Sequence, residues 1–159
     1  MRALAFMAPL GLALAMAASA QAQQVTVDIG PDLRRQADVL GEREVREQAD
    51  RLAEVVSRAL DRRGALDGAR INLVLTDLRP NRPTFQQMVD RPGLDGMRSV
   101  SIGGAAIEGE IVTASGERIP VSYDWFSHSL ADVHGFTTWQ DADRAYARFA
   151  ANLAAGRYD

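Results

Sequence analysis

The chain has 159 residues, a formal net charge of −3, 47% hydrophobic residues and no cysteine. This length suits one domain with an adequate core, and the balance of charge and hydrophobicity excludes a wholly disordered chain. The lack of cysteine excludes a disulfide framework and a thiolate metal site. All eighteen basic residues are arginine, which excludes lysine-based catalysis, Schiff-base chemistry and a P-loop lysine.

Residues 1–22 have the three parts of a secretory signal peptide. A positive start is followed by an apolar run from Ala3 to about Ala17 and then by a tail of small residues. The candidate cleavage sites follow Ala20 and Ala22. The run of roughly 15 residues is shorter than the ~20 that a membrane-spanning helix needs. Because no cysteine is present to carry a lipid, we expect a periplasmic or secreted protein with no membrane span or lipid anchor.

The remaining chain, residues 23–159, is predicted to be a single domain, since no repeat or long linker divides it. One arginine lies in residues 1–22, so 17 basic and 21 acidic side chains remain, a net charge of −4. Such a surface has no bulk attraction for nucleic acid. We therefore expect no nucleic-acid partner.

The first predicted elements are a strand and a long amphipathic helix. Val25, Val27 and Ile29 alternate with polar residues, which is the period of a half-buried strand. Over residues 41–63, apolar side chains recur at three- and four-residue spacing, with glutamates in the first turns and arginines in the last. Residues 31–40 fit either a helical turn or a packed loop.

A second strand and a long connection follow. Residues 71–76 alternate in the manner of a strand, which ends at Pro80. Residues 79–94 hold three prolines and predict a long connection, in which Thr84 begins a capping box for one short helical turn. Long loops in compact domains are often functional.

Residues 98–126 are typical of a β-hairpin that turns at Ser115 and Gly116. A glycine pair at 103–104 has neither the spacing of a dinucleotide-binding loop nor that of a Walker loop. We interpret the pair as a bulge or bend in the hairpin.

A loop over residues 127–137 leads to the last predicted helix. Thr138 opens a second capping box, and the helix is predicted to run to about Ala155. Because each helix has one apolar face, the economical arrangement lays both on one face of the sheet. We predict an α+β two-layer sandwich in β-α-β-β-β-α order, with a mostly antiparallel sheet and two helices on one face.

Titratable and aromatic groups concentrate in residues 124–139, and these include both histidines of the chain. Histidine with aspartate suits a divalent metal, and serine with histidine and aspartate suits a hydrolytic triad. However, the segment has no H-E-x-x-H helix and no G-x-S-x-G elbow. We expect no cofactor, metal or catalytic residue. The candidate ligand-binding residues are Asp124, Trp125, His128, His134 and Trp139.

The layout resembles that of small exported bacterial proteins with no assigned activity. The resemblance is carried by the signal segment, the 41–63 helix, the strand over 73–78, the hairpin turn at 115–118 and the start of the closing helix over 137–145. Related envelope accessory lipoproteins have a cysteine at the cleavage site, which this chain lacks. The resemblance implies no catalytic residue.

We therefore expect a non-enzymatic periplasmic or secreted protein that binds an envelope protein or a small ligand. One alternative is a small-ligand carrier with a pocket near Trp125 and Trp139. The other is a metal-dependent hydrolase that uses His128 and His134. An exposed strand edge also allows a homodimer formed by extension of the sheet.

Overall fold

The computed structural model describes residues 23–158, which form a four-stranded mixed sheet. The strands lie side by side in the order β1 (Gln24–Ile29), β2 (Arg70–Arg79), β3 (Gly104–Val112) and β4 (Arg118–Phe126). The β1 strand is parallel to β2, while the β2–β3 and β3–β4 pairs are antiparallel. The predicted signal peptide, 1–22, lies outside the described residues.

Four α-helices accompany the sheet in the described part of the chain. They are α1 (Pro31–Leu40), α2 (Glu42–Arg63), α3 (Phe85–Asp90) and α4 (Gln140–Ala154). The predicted α+β class and the mostly antiparallel sheet are confirmed, and the element order is β-α-α-β-α-β-β-α. None of the helices within residues 23–158 has the length and apolar character needed to cross a bilayer.

The additional helix α1 resolves the segment that the pattern left ambiguous. Pro31 stands at its first turn, where a missing N–H costs nothing. Leu33, Ala37 and Leu40 fall on one stripe and are buried. The stripe packs towards β2, so the helix is held by burial of its apolar side.

The core lies between one face of the sheet and the pair α2 and α4, which also contact each other. Strand register places Val27, Leu73, Gly109 and Val121 in one row on the core face, where Leu73 and Val121 are buried and Val27 and Gly109 are half-buried. The fully buried large side chains from these elements include Leu52, Leu60, Ile71, Leu75, Ile107, Ile111, Tyr146 and Leu153. The opposite face of the sheet is polar and faces solvent, with exposed Thr26, Asp28, Asn72, Glu108, Ser122 and Asp124.

The N-terminus of α4 is capped from a distant part of the chain. The predicted capping box at Thr138 is wrong, because Trp139 is the N-cap residue and its side chain makes no capping hydrogen bond. Instead, the Asp141 N–H donates to Asn81 Oδ1 at 2.9 Å, across 60 residues of sequence. The Asn81 N–H in turn donates to the Thr138 carbonyl at 2.7 Å. The predicted capping box at Thr84 is formed, with its partner Gln87.

Candidate functional site

The five sequence-predicted site residues do not converge on one cavity. Asp124 and Trp125 are neighbours on β4, so their side chains lie on opposite faces of the sheet. Asp124 is exposed on the open face, whereas Trp125 packs against the core with the Arg148 guanidinium 4.5 Å from its ring.

Both histidines are exposed in the connection between β4 and α4. The hydroxyls of Ser127 and Ser129 hydrogen-bond elsewhere, to Gly103 and Asp132 respectively. Within residues 23–158, no three histidine, cysteine, aspartate or glutamate side chains gather in a way that could hold a metal ion. In the part of the chain that the structure describes, neither hydroxyl forms a hydrogen bond with a histidine side chain.

Trp139 is half-buried beside the N-terminus of α2. Its Nε1–H donates to Glu44 Oε2 at 3.2 Å, and Glu44 Oε1 accepts from the Phe85 N–H at 3.0 Å. A depression of about 560 Å³ lies here, but Trp125 does not line it. Its lining includes Arg43, Glu44, Glu47, Arg51 and Asp143.

The structure brings two long connections together at one end of the sheet, residues 80–103 after β2 and residues 127–139 after β4. Arg82 joins them, because its Nη1 donates to the Met97 carbonyl and its Nη2 donates to the Gly135 carbonyl at 3.2 Å. The same guanidinium lies 5.5 Å from the centre of the Phe136 ring. We refer to these two connections together as the loop surface.

A fully buried polar pair anchors the loop surface to α4. Asn81 and Asp141 are both 0% exposed. Asn81 Nδ2 donates to Asp141 Oδ2 at 2.6 Å and to the Ser101 carbonyl at 3.2 Å. Arg144 Nη1 donates to the other carboxylate oxygen at 2.9 Å. The carboxylate is therefore paired, which a buried charge requires.

The glycine pair at 103–104 permits a close approach to this anchor. A Cβ on Gly103 would lie 2.6 Å from Asn81 Oδ1. Gly104 has a φ of +147°, and a Cβ there would clash with the Trp125 carbonyl oxygen. Of the two interpretations of the pair, a bulge or a bend, the bulge is wrong, since the shift in sheet register lies in β2 between Leu75 and Asp77 and the pair stands at the start of β3.

The loop surface carries most of the exposed apolar side chains of the described chain. Eight large hydrophobic residues are exposed, and seven of them lie in the two connections. Phe136 is 77% exposed and Phe85 is 70% exposed. The other five are Val89, Met97, Val100, Ile102 and Leu130. Sequence reasoning missed this grouping, because it depends on two connections that only the fold brings together.

Beside these apolar residues lies a groove of about 350 Å³ whose lining contains three arginines and no acidic residue. The arginines are Arg79, Arg82 and Arg91. Arg79 donates to Asp77 Oδ2 from Nε at 3.1 Å and from Nη2 at 2.8 Å. A signal for the groove was present in the sequence, since residues 79–103 hold four arginines and two aspartates in an otherwise acidic chain.

One of those aspartates organises the outer part of the loop surface. The Asp95 carboxylate accepts hydrogen bonds from the backbone N–H groups of Arg98 at 2.9 Å and Met97 at 2.7 Å. These bonds favour the ionised form and hold the pKa of Asp95 below its usual value. The turn that carries Met97 is therefore held by a charged acceptor.

Comparison with known proteins supplies no template for this surface. No protein-family model matches the chain, and no curated protein shows significant sequence similarity to it. The loop surface offers exposed apolar side chains, arginine donors and a buried polar anchor that holds the connections in place.

Proposed function

We propose that this chain is a non-enzymatic binding protein, periplasmic or secreted, that holds a polypeptide partner on the loop surface. The observation that carries the proposal is that, among the described residues, seven of the eight exposed large hydrophobic side chains lie in two adjoining connections. Exposed apolar groups scattered singly are normal on a protein, whereas a grouping of this kind is typical of an interaction site.

The charges beside the apolar side chains indicate the chemistry of the partner. Over the loop surface as a whole the formal charges balance, with three arginines against three aspartates. The positive charges concentrate in the groove, whose lining holds Arg79, Arg82 and Arg91 and no acidic side chain. A polypeptide segment that combines acidic and apolar side chains complements both features.

The internal bonding of the loop surface supports binding without a large ordering cost. Arg82 hydrogen-bonds across the two connections, and Asn81 joins them to α4. Thr84 and Gln87 form a reciprocal capping box at the start of α3. A surface that is ordered before it meets its partner loses less conformational entropy on binding.

A small-ligand carrier using Trp139 is supported less well. The depression beside that residue is lined by five charged side chains. Pockets for small organic ligands are mostly apolar with a few polar groups. The loop surface differs from this depression, because its exposed apolar side chains outnumber its exposed charged ones.

The proposal is tested by selecting peptides from a random display library on the immobilised protein. We expect the selected peptides to share acidic and apolar positions. Their affinity should fall by about tenfold or more when Phe85 and Ile102 are both changed to serine, because two exposed anchors are lost. Val39→Ser is the matched control, since within residues 23–158 Val39 is the exposed large hydrophobic residue that lies outside the two connections.

Two results would contradict the proposal. One is the absence of any enriched peptide. The other is a set of peptides that bind the Phe85→Ser, Ile102→Ser variant as tightly as the unchanged protein. Light scattering on the same samples checks for self-association. If the protein forms a dimer that does not bind the selected peptides, the surface is assigned to a second copy of the chain instead.

A further inference from the structure

The guanidinium of Arg82 is a buried charge that lacks an acidic partner in the described part of the chain. The residue is 7% exposed. The ion pairs formed within residues 23–158 involve other arginines, including Arg79 with Asp77 and Arg144 with Asp141. Backbone carbonyls of Gly96, Met97 and Gly135 accept its terminal N–H groups. Carbonyl dipoles satisfy those donors but leave the positive charge uncancelled.

The Nε–H of the same side chain is a second, independent observation. This nitrogen is buried and has no hydrogen-bond partner among the described residues. Buried donors in proteins are almost always satisfied by protein, water or ligand. A carboxylate would satisfy the donor and compensate the charge together, which a neutral acceptor cannot do.

The groove beside Arg82 is built to favour such a group. Arg91 is exposed on its lining and forms no ion pair in residues 23–158. Ser99 Oγ accepts from the Asp95 N–H at 3.1 Å, so its own proton is free for donation. The apolar part of the lining comprises Pro80, Pro83, Leu94, Val100 and Ile102. The groove thus offers donors and positive charge next to apolar contacts.

We infer that this groove binds a carboxylate group of the polypeptide partner, with Arg82 as the buried donor and Arg91 as a second cation at the rim. The inference rests on the proposed function, because the apolar lining selects a carboxylate borne by an apolar chain segment. The ligand class is therefore an acidic side chain flanked by apolar residues, or the carboxylate of a chain terminus.

The test follows the Arg82 Nε–H resonance by ¹H–¹⁵N NMR while three short acetylated peptides are added. The first is Leu-Glu-Leu amide, the second is the neutral Leu-Gln-Leu amide, and the third is Leu-Gln-Leu with a free C-terminal carboxylate. We expect the resonance to shift with the first or the third peptide and to stay in place with the second. Which of the two shifts it more distinguishes a side-chain carboxylate from a terminal one.

Variants supply the affinity readout. Arg91→Gln should lower the affinity for the carboxylate peptide by about two- to fivefold, which is the size of an exposed charge interaction. Arg98→Gln is the matched control, because Arg98 is an exposed arginine of the same connection that does not line the groove, and it should leave the affinity unchanged. Arg82→Gln should weaken binding by about tenfold or more, provided that its NMR spectrum shows a folded protein.

The inference is overturned if the Arg82 resonance does not move with either carboxylate peptide, or if the neutral peptide moves it equally. It is also overturned if Arg98→Gln weakens binding as much as Arg91→Gln, since the effect would then be one of general charge. If the peptides selected by display bind equally well after their acidic residues are amidated, the groove has no carboxylate-binding role. The proposed function still stands in that case.

Discussion

Asn81 and Asp141 are bonded to each other twice, through the Asn81 amide on the Asp141 carboxylate at 2.6 Å and through the Asp141 N–H on Asn81 Oδ1 at 2.9 Å. The pair joins the connection after β2 to the first turn of α4 and is fully buried. It therefore connects the candidate binding surface directly to the core helix.

Asn81→Ala removes both bonds and leaves the Asp141 N–H and part of a buried carboxylate without partners. We expect the free energy of unfolding to fall by about 3 kcal/mol, since the buried carboxylate loses a donor and the buried N–H loses its acceptor. Urea denaturation followed by tryptophan fluorescence measures the change. Asn72→Ala, on the exposed face of the sheet, is the control and should cost less than about 1 kcal/mol. An equal loss of unfolding free energy in the two variants would show that the Asn81–Asp141 pair contributes no more to stability than an exposed asparagine does.

Gly103→Ala tests the close approach of the β3 start to the same anchor. The new Cβ would lie 2.6 Å from Asn81 Oδ1, so either the strand or the asparagine must move. We expect a loss of about 2 kcal/mol in stability, the usual size of an overpacking cost. At Gly96 the nearest atom to a new Cβ is Met88 Sδ at 3.6 Å, so Gly96→Ala should be tolerated. A thermal melt that ranks the two variants in the reverse order would refute the prediction.

Tyr146→Phe is expected to stabilise the protein. The Tyr146 hydroxyl is buried in the core and has no hydrogen-bond partner among the described residues. Burial raises the pKa of Tyr146 well above its ordinary value, so the group stays neutral. Removing an unsatisfied buried hydroxyl should raise the free energy of unfolding by about 1 kcal/mol. Tyr158→Phe, at a half-buried phenol, should change it little; a loss of stability in Tyr146→Phe would point to a bound water as the missing partner.

The turn at Asp95 should respond to acid. Because its carboxylate is stabilised in the folded state, the pKa is depressed there, and the contribution of this group is complete above the unfolded value of about 3.9. That contribution is lost as the pH falls through the lower folded value. In an NMR titration the Met97 and Arg98 amide resonances should move together with a midpoint below about 3.9. Asp95→Asn should abolish this movement, and a midpoint at or above the ordinary value would contradict the assignment.

The elements with strong local patterns were predictable from the sequence, and those with long-range causes were not. The α2 helix was identified because its apolar stripe and its charge distribution agree. The start of α4 was misplaced because its cap is the side chain of Asn81, which no local window contains. Segment 31–40 stayed ambiguous because the spacing of Leu33, Ala37 and Leu40 fits two structures until burial selects one.

The candidate site was predicted only in part, for the same physical reason. The sequence drew attention to 124–139, where the histidines and tryptophans are, but Trp125 and Trp139 support the core and Asp124 faces the open side of the sheet. The apolar groups that form the loop surface come from two connections that Arg82 holds together across 53 residues of sequence. A contact of that range has no local signature.

Binding of the partner at the loop surface can be mapped residue by residue. Backbone amide chemical shifts are recorded while a display-selected peptide is added to the protein. We expect the shifted resonances to fall in residues 80–103 and 127–139, and the amide resonances of strands β1 and β4 to stay unchanged. Shifts centred on the exposed face around Asn72 and Ser122, or on the α2 side of the depression at Arg43, Glu47 and Arg51, would contradict binding at the loop surface.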